Sequence, residues 1–249
     1  MATNLIFLAL LPGILIIVFI FKKDKVEHEP WSLIMKLVIL GAVSCVPAAL
    51  LETYIGGYGA NAGFEQGTIE YSFFEAFCVA ALCEEGCKYL LLRIGSWRNK
   101  NFDYRFDGIV YGVSVAVGFA LLENILYVMQ GGFYTALMRG VLAVPLHAFC
   151  GVFMGVFYGA AKKYSIIGKH GRAFGAHLCS ILIPIFIHGI YDSLTFMATN
   201  LATMILLAFV LFMYIIAFKY VNKFSREDWH AGFYVQQLSD LPLDGKNQR

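Results

Sequence analysis

The stretch GIVYGVSVAVGFALLENILYVM, residues 108–129, decides the fold. Its residues are apolar, small or aromatic except for Glu123 and Asn124. As an α-helix rising 1.5 Å per residue, the segment is long enough to cross a hydrocarbon core of roughly 30 Å. Apolar segments of similar length recur at 4–21, 32–54, 68–92, 140–161, 175–196 and 201–218, which makes about seven predicted spans. The whole chain agrees with this reading. Of its 249 residues 59% are hydrophobic and 14% charged, and the mean hydropathy is +0.68, well beyond an ordinary soluble domain. The predicted fold is all-α, a polytopic membrane helix bundle, because a helix satisfies its own backbone hydrogen bonds where no water is present.

The basic residues orient the bundle. Segments 22–30, 93–107, 162–174 and 219–249 hold sixteen of the nineteen Lys and Arg, whereas the intervening connections hold only Arg139. By the positive-inside rule the N-terminus is expected outside and the C-terminus in the cytoplasm, with the protein in the cytoplasmic (inner) membrane. Met1 to Asn4 carries no positive charge, and Lys22-Lys23 follows the first apolar run, which predicts a retained helix rather than a cleaved leader. Residues 1–218 then form one membrane domain and 219–249 a short cytoplasmic tail. The net charge of +2 is accounted for by orientation, so nothing points to nucleic acid. All six cysteines fall within predicted spans with no CxxC pair, and they read as small packing residues.

Set against lipid, the polar residues stand out. The third span carries Glu84, Glu85 and Lys88, the fourth Glu123 and Asn124, the fifth His147, and the sixth His188 and Asp192. A charge at mid-bilayer costs at least about 2.5 to 3.5 kcal/mol, so each needs a partner inside the bundle or a task. Glu84 with Lys88, and His188 with Asp192, are four apart and share a helix face. A local ion pair explains Glu84 with Lys88, but leaves Glu85, Glu123, His147 and His188 without an opposite charge nearby in sequence. Counted from the cytoplasmic ends of their spans, Glu123, His147 and His188 all lie about 20 to 22 Å deep. Glu84 joins that plane if its helix continues past residue 92 toward Arg98.

These residues also carry a resemblance. Glu84-Glu85-Gly86-Cys87-Lys88 is an EExxK motif, Phe119 to Asn124 an FxxxEN motif, His147 sits on the next span, and His188 to Asp192 is HxxxD. In this order on successive spans, they resemble the PrsW-type intramembrane proteases, relatives of the CAAX prenyl proteases. The segment Asp24 to Trp31 is similar to the acidic, proline-ended loop after that family's first span, with His28 where proline is expected.

The resemblance implies cleavage of a membrane-embedded protein substrate, an anti-sigma factor being one instance. Such cleavage needs a water, a base, an oxyanion donor and a polar cavity among lipids. The expected catalytic set is Glu84, Glu85, Glu123, Asn124, His147 and His188, supported by Lys88 and Asp192. Either Glu84 or Glu85 can be the base, the other being neutralised by Lys88. In one version His147, His188 and either Asp192 or Glu123 bind Zn2+, leaving a fourth position for water. In the other, a glutamate activates water without metal and His188, Asn124 or His147 donates to the oxyanion. Asp192 can instead orient His188.

The remaining marked residues read structurally. Gly151, Gly155 and Gly159 form a small-residue stripe in line with His147, and Gly108 and Gly112 do the same for the fourth span, suited to close helix approach. Glu75 is placed to line an entrance. A proton- or ion-coupled transporter would also bury Glu, His and Asp, but commonly shows internal repeats, and none is evident. A non-catalytic binding relative would be expected to lose one of the four motifs, and here all are present.

Overall fold

A computed structural model describes residues 2–61 and 63–228. Two long helices lead, α1 (Ala2–Lys23) and α2 (Trp31–Asn61). A composite rod follows: the short α3 (Ile69–Phe73), a π-helical stretch Phe74–Ala81, and α4 (Leu82–Ser96). Then come α5 (Asp107–Val141), α6 (Ala143–Ile166), α7 (His170–Met197) and α8 (Asn200–Arg226). The described residues form no β-strand.

Five stretches are long and apolar enough to cross a membrane: Thr3–Lys23, Trp31–Gly59, Asp107–Ile166, His170–Met197 and Asn200–Arg226. The third contains both α5 and α6. The rod of α3 and α4 is not among them, since α4 has 15 residues and carries Glu84, Glu85, Lys88 and Arg93. It runs to Ser96, beyond the expected end at 92, so Glu84 lies about 18 Å from that end, nearer the plane of the other polar groups. Helix α8 continues to Arg226, and residues 229–249 of the expected tail lie outside the described residues.

The expected connection at 130–139 proves helical. At Gly132 the backbone takes φ 73° and ψ −154°, a conformation open to glycine, and the helix resumes in a new direction. A straight helix would hold Glu123 and Arg139 about 24 Å apart, yet their side chains meet, so residues 133–141 fold back on the first part of α5.

Helix α5 is the axis of the bundle, with α1, α2 and α6 packed against it, α7 against α6, and the π-helical stretch against α7. At its glycines the α5–α6 seam brings backbone against backbone. A Cβ at Gly108 would strike the Gly155 carbonyl, one at Gly112 the Gly151 carbonyl, and one at Gly155 the Gly108 carbonyl. Gly41 of α2 and Gly118 of α5 likewise face the Val115 and Val38 carbonyls. Small residues give this closeness in a solvent where apolar burial supplies no drive between helices. Outward, large apolar side chains such as Leu50, Ile94, Phe174 and Met204 remain exposed, as helices facing hydrocarbon require.

Gly155→Ala should therefore lower the thermal unfolding midpoint, by the about 1–3 kcal/mol typical of overpacking. Gly57→Ala, inside α2 with open space around it, should not lower the midpoint and should raise it slightly, by the about 0.5–1 kcal/mol that alanine gains over glycine in a helix. Circular dichroism melts in detergent compare the two.

Candidate active site

The rod of α3 and α4 prepares the site. In its π-helical stretch the Leu82 N–H reaches back to the Phe77 carbonyl, five residues away, and this wider turn resets which side chains of α4 face inward. Glu84, Glu85 and Lys88 then share one face and are buried together. The Lys88 ammonium, fully buried, stands 2.9 Å from Glu84 Oε2, 2.8 Å from Glu85 Oε1 and 3.0 Å from His147 Nδ1. Beneath it, 3.9 Å from Nζ, is the ring of Phe119 from α5, a favourable cation–π contact.

Both imidazoles are held at both nitrogens. An ammonium only donates, so His147 Nδ1 accepts from Lys88 and its Nε2–H donates to Glu123 Oε2 at 2.9 Å. His188 Nδ1 lies 2.9 Å from Glu85 Oε1, and its Nε2 lies 3.2 Å from Asp192 Oδ2. The two rings stand perpendicular with centroids 5.1 Å apart. The structure thus gathers Glu84, Glu85, Lys88, Glu123, His147, His188 and Asp192 from α4, α5, α6 and α7 into one connected polar chain.

One predicted residue sits to the side. Asn124 points away from the histidines: its Nδ2 donates to the Ala9 carbonyl of α1 and its Oδ1 accepts from Arg139 Nε. It ties α1 and the returning end of α5 to the site.

Arg139 was legible only as the lone basic residue of the connections expected on the outer side. Folding back at Gly132 brings its Nη2 to 2.8 Å from Glu123 Oε2, off the hydrogen-bonding direction and so an ionic contact. Its guanidinium also lies 4.1 Å over the Tyr127 ring. Glu123 is thereby fixed between Arg139 and His147.

A cavity of about 620 Å³ opens onto this chain and is lined by Glu84, Glu123, Arg139, His147, His188 and Asp192, with Glu52 and Glu75 also on its wall. The two glutamates of the EExxK motif differ here. Glu84 lines the cavity, whereas the Glu85 side chain is fully buried behind it, its Oε2 without a hydrogen-bond partner among the described residues.

The donor set also suits a metal. Glu84, Glu85, His147 and His188 each offer a ligand atom, all within 4.8 Å of one another. Two imidazoles and two carboxylates are a fitting set for a divalent transition metal. Three of the four are at the same time bound by the Lys88 ammonium or within its reach, so metal and ammonium are competitors for one position.

A polar chain of carboxylates and imidazoles around a cavity, inside helices that face lipid, is the equipment of an intramembrane protease. The sequence profile of the PrsW family intramembrane metalloproteases matches residues 29–218, and the chain belongs to that family. The curated relative Protease PrsW of Geobacillus kaustophilus is 34% identical over 189 residues, 76% of this chain and 78% of the relative. Protease PrsW of Oceanobacillus iheyensis is 33% identical over 206 residues, 83% of this chain and 89% of the relative. Protease PrsW of Bacillus subtilis is 33% identical over 205 residues, 82% and 87% respectively. No solved structure matches the chain. The protein is an intramembrane protease acting on a membrane protein.

Arg139→Ala should lower turnover about ten- to a hundredfold, the usual effect of losing a group that orients a key ligand or base, with Arg139→Lys recovering part of it. A cleavage assay with a reconstituted single-span substrate measures both.

Proposed function

We propose that Glu84 is the general base of the peptide cleavage and that Glu85 is its buried counterpart. The observation that carries this is the difference in access: Glu84 meets the cavity, while Glu85 is spent on Lys88 and His188 Nδ1. Lys88 bridges the pair, its ammonium on Glu84 and Glu85 alike, and offsets the negative charge of two adjacent carboxylates. Glu84 takes a proton from a cavity water, which attacks the scissile carbonyl. His188, held between Glu85 and Asp192, turns its Nε2–H from Asp192 to the carbonyl oxygen, gives that proton to the leaving amine, and is reprotonated by the proton that Glu84 took from the water, Glu84 Oε2 standing 3.9 Å from its ring. His147 keeps the opposite wall in place through Glu123 and Arg139.

A divalent metal, zinc by its liking for mixed imidazole and carboxylate ligands, would be held by His147, His188 and Glu85. Bound there it would lower the pKa of a coordinated water and polarise the carbonyl. In this reading Glu123 and Asp192, the two alternatives for a third ligand, act from the Nε2 atoms of the two histidines by orienting the rings. The position of Lys88 favours a second reading, in which the ammonium replaces the metal outright and cleavage runs on glutamate-activated water alone.

The substrate we propose is a single-span membrane protein such as an anti-sigma factor. The chain crosses the cytoplasmic membrane seven times, the N-terminus outside and the tail from residue 219 in the cytoplasm. Supporting this, the basic residues gather in alternate connections.

Glu84→Gln should reduce cleavage of a reconstituted single-span substrate about 10²- to 10⁴-fold, the usual worth of a positioned base. Glu85→Gln and His188→Ala should also abolish it, and helical content by circular dichroism should persist in all three. Cleavage by protein stripped with a strong chelator and verified metal-free distinguishes the two readings: zinc requires that it vanish and return on adding Zn2+, whereas full retention leaves the metal-free one.

A further inference from the structure

Away from the active site, a second cavity of about 260 Å³ opens as a groove between α1 and α8, floored by α6. Its walls include Leu15, Ile16 and Phe19 of α1, Ala148 of α6, and Ala217 and Phe218 of α8. Tyr214 carries the only polar side chain among the described residues of the lining, and its hydroxyl already donates to the Val141 carbonyl at 3.0 Å. The groove therefore suits an apolar occupant.

Contacts between α1 and α8 shut it at one end. There Phe19 meets Phe218 edge to face with ring centroids 5.4 Å apart, the Lys23 ammonium donates to Asn222 Oδ1 at 2.6 Å, and Ser225 Oγ donates to the Lys23 carbonyl. From Ile20 the groove runs to Pro12, about 12 Å along α1. Size selects what fills it. A helix with its side chains is about 10–12 Å across, so that length of one needs on the order of 1,000 Å³. The groove has room for a single hydrocarbon chain.

Its closed end is basic. In steps of three or four residues, Lys23 continues the helix stripe of Pro12, Ile16 and Phe19, and Lys22 continues that of Leu15 and Phe19. Lys22 is exposed, and its ammonium has no partner among the described residues. The Lys23 ammonium meets Asn222 but no carboxylate among the described residues. Asp24, next in the chain, is buried and accepts from the Glu29 N–H instead. From Lys22 to Pro12 is about 15 Å, half of a hydrocarbon core of roughly 30 Å, so ammonium groups and groove together match one lipid leaflet.

We propose that this groove binds one anionic phospholipid, an acyl chain lying between α1 and α8 and the phosphate resting on Lys22 and Lys23. Basic residues at helix ends attract anionic headgroups, whereas a choline lipid brings a cation of its own against them. The bound lipid fills the space that α1 and α8 leave between them. It thereby holds α1, whose Ala9 carbonyl receives Asn124, against the bundle. This site is independent of the catalytic reading.

The test is native mass spectrometry of the full chain, stripped of lipid in a neutral detergent and titrated with phosphatidylglycerol or phosphatidylcholine of identical chains. The first phosphatidylglycerol should bind about thirtyfold tighter, the product of about fivefold for each of two ammonium groups. Lys22→Gln/Lys23→Gln should bring the two lipids to near-equal affinity. Lys219→Gln/Lys223→Gln, on the face of α8 turned from Tyr214 and Phe218, should keep the preference. Ile16→Trp, which fills the groove, should weaken phosphatidylglycerol binding at least tenfold, with helical content by circular dichroism unchanged. In the unmodified protein, glycerol phosphate, a headgroup without a chain, should fail to displace the bound lipid, a readout that stands even if Ile16→Trp does not fold. Equal affinity for the two lipids, a preference that survives Lys22→Gln/Lys23→Gln or is lost in Lys219→Gln/Lys223→Gln, undiminished binding by folded Ile16→Trp, or displacement by glycerol phosphate would each overturn the site.

Discussion

One ammonium group holds the centre of this protein together. Lys88 lies fully buried among Glu84, Glu85 and His147, with an aromatic ring beneath it. Breaking a buried ion pair by removing one partner costs about 3–5 kcal/mol, and in hydrocarbon there is no solvent to take up the charge left behind. Because its partners come from α4 and α6, and Glu85 hands the contact on to His188 of α7, charge neutrality also fixes how three helices stand to one another. The carboxylates and imidazoles of the candidate site are thus positioned by the interaction that makes their burial tolerable.

Close backbone contact does the rest. Glycines along α5 and α6 bring the two helices into backbone contact, which sets Glu123 against His147 at hydrogen-bonding distance. The reversal at Gly132 then returns Arg139 to the same carboxylate from the far side. Glu123 is therefore constrained from two directions, one by a seam of small residues and one by a single positive φ. The cavity forms where these constraints leave room, between walls that carry carboxylates, the two imidazoles and Arg139.

Much of the site was legible before the fold. Glu84, Glu85, Lys88, Glu123, His147, His188 and Asp192 are conspicuous because lipid tolerates none of them alone, and counting along the helices already placed Glu123, His147 and His188 at a common depth. Arg139 was not legible as a site residue, because in sequence it falls in an apparent connection and its meeting with Glu123 depends on a backbone reversal. The different surroundings of Glu84 and Glu85 were equally hidden. Neighbours in sequence on a helix differ by 100° in direction, and which one meets the cavity is set by the helices packed around them.

The sequence by itself determined that this chain is a helical membrane protein with charged groups gathered inside it, because hydrophobicity and the cost of burying charge are properties of the residues. Its motifs also led to the PrsW family of intramembrane proteases. Only the tertiary structure decided which carboxylate faces the cavity, which ones orient the histidines, and that Arg139 and Asn124 brace the site from α5. Those assignments rest on distances of about 3 Å between groups far apart in the chain, and such distances come into being when helices pack.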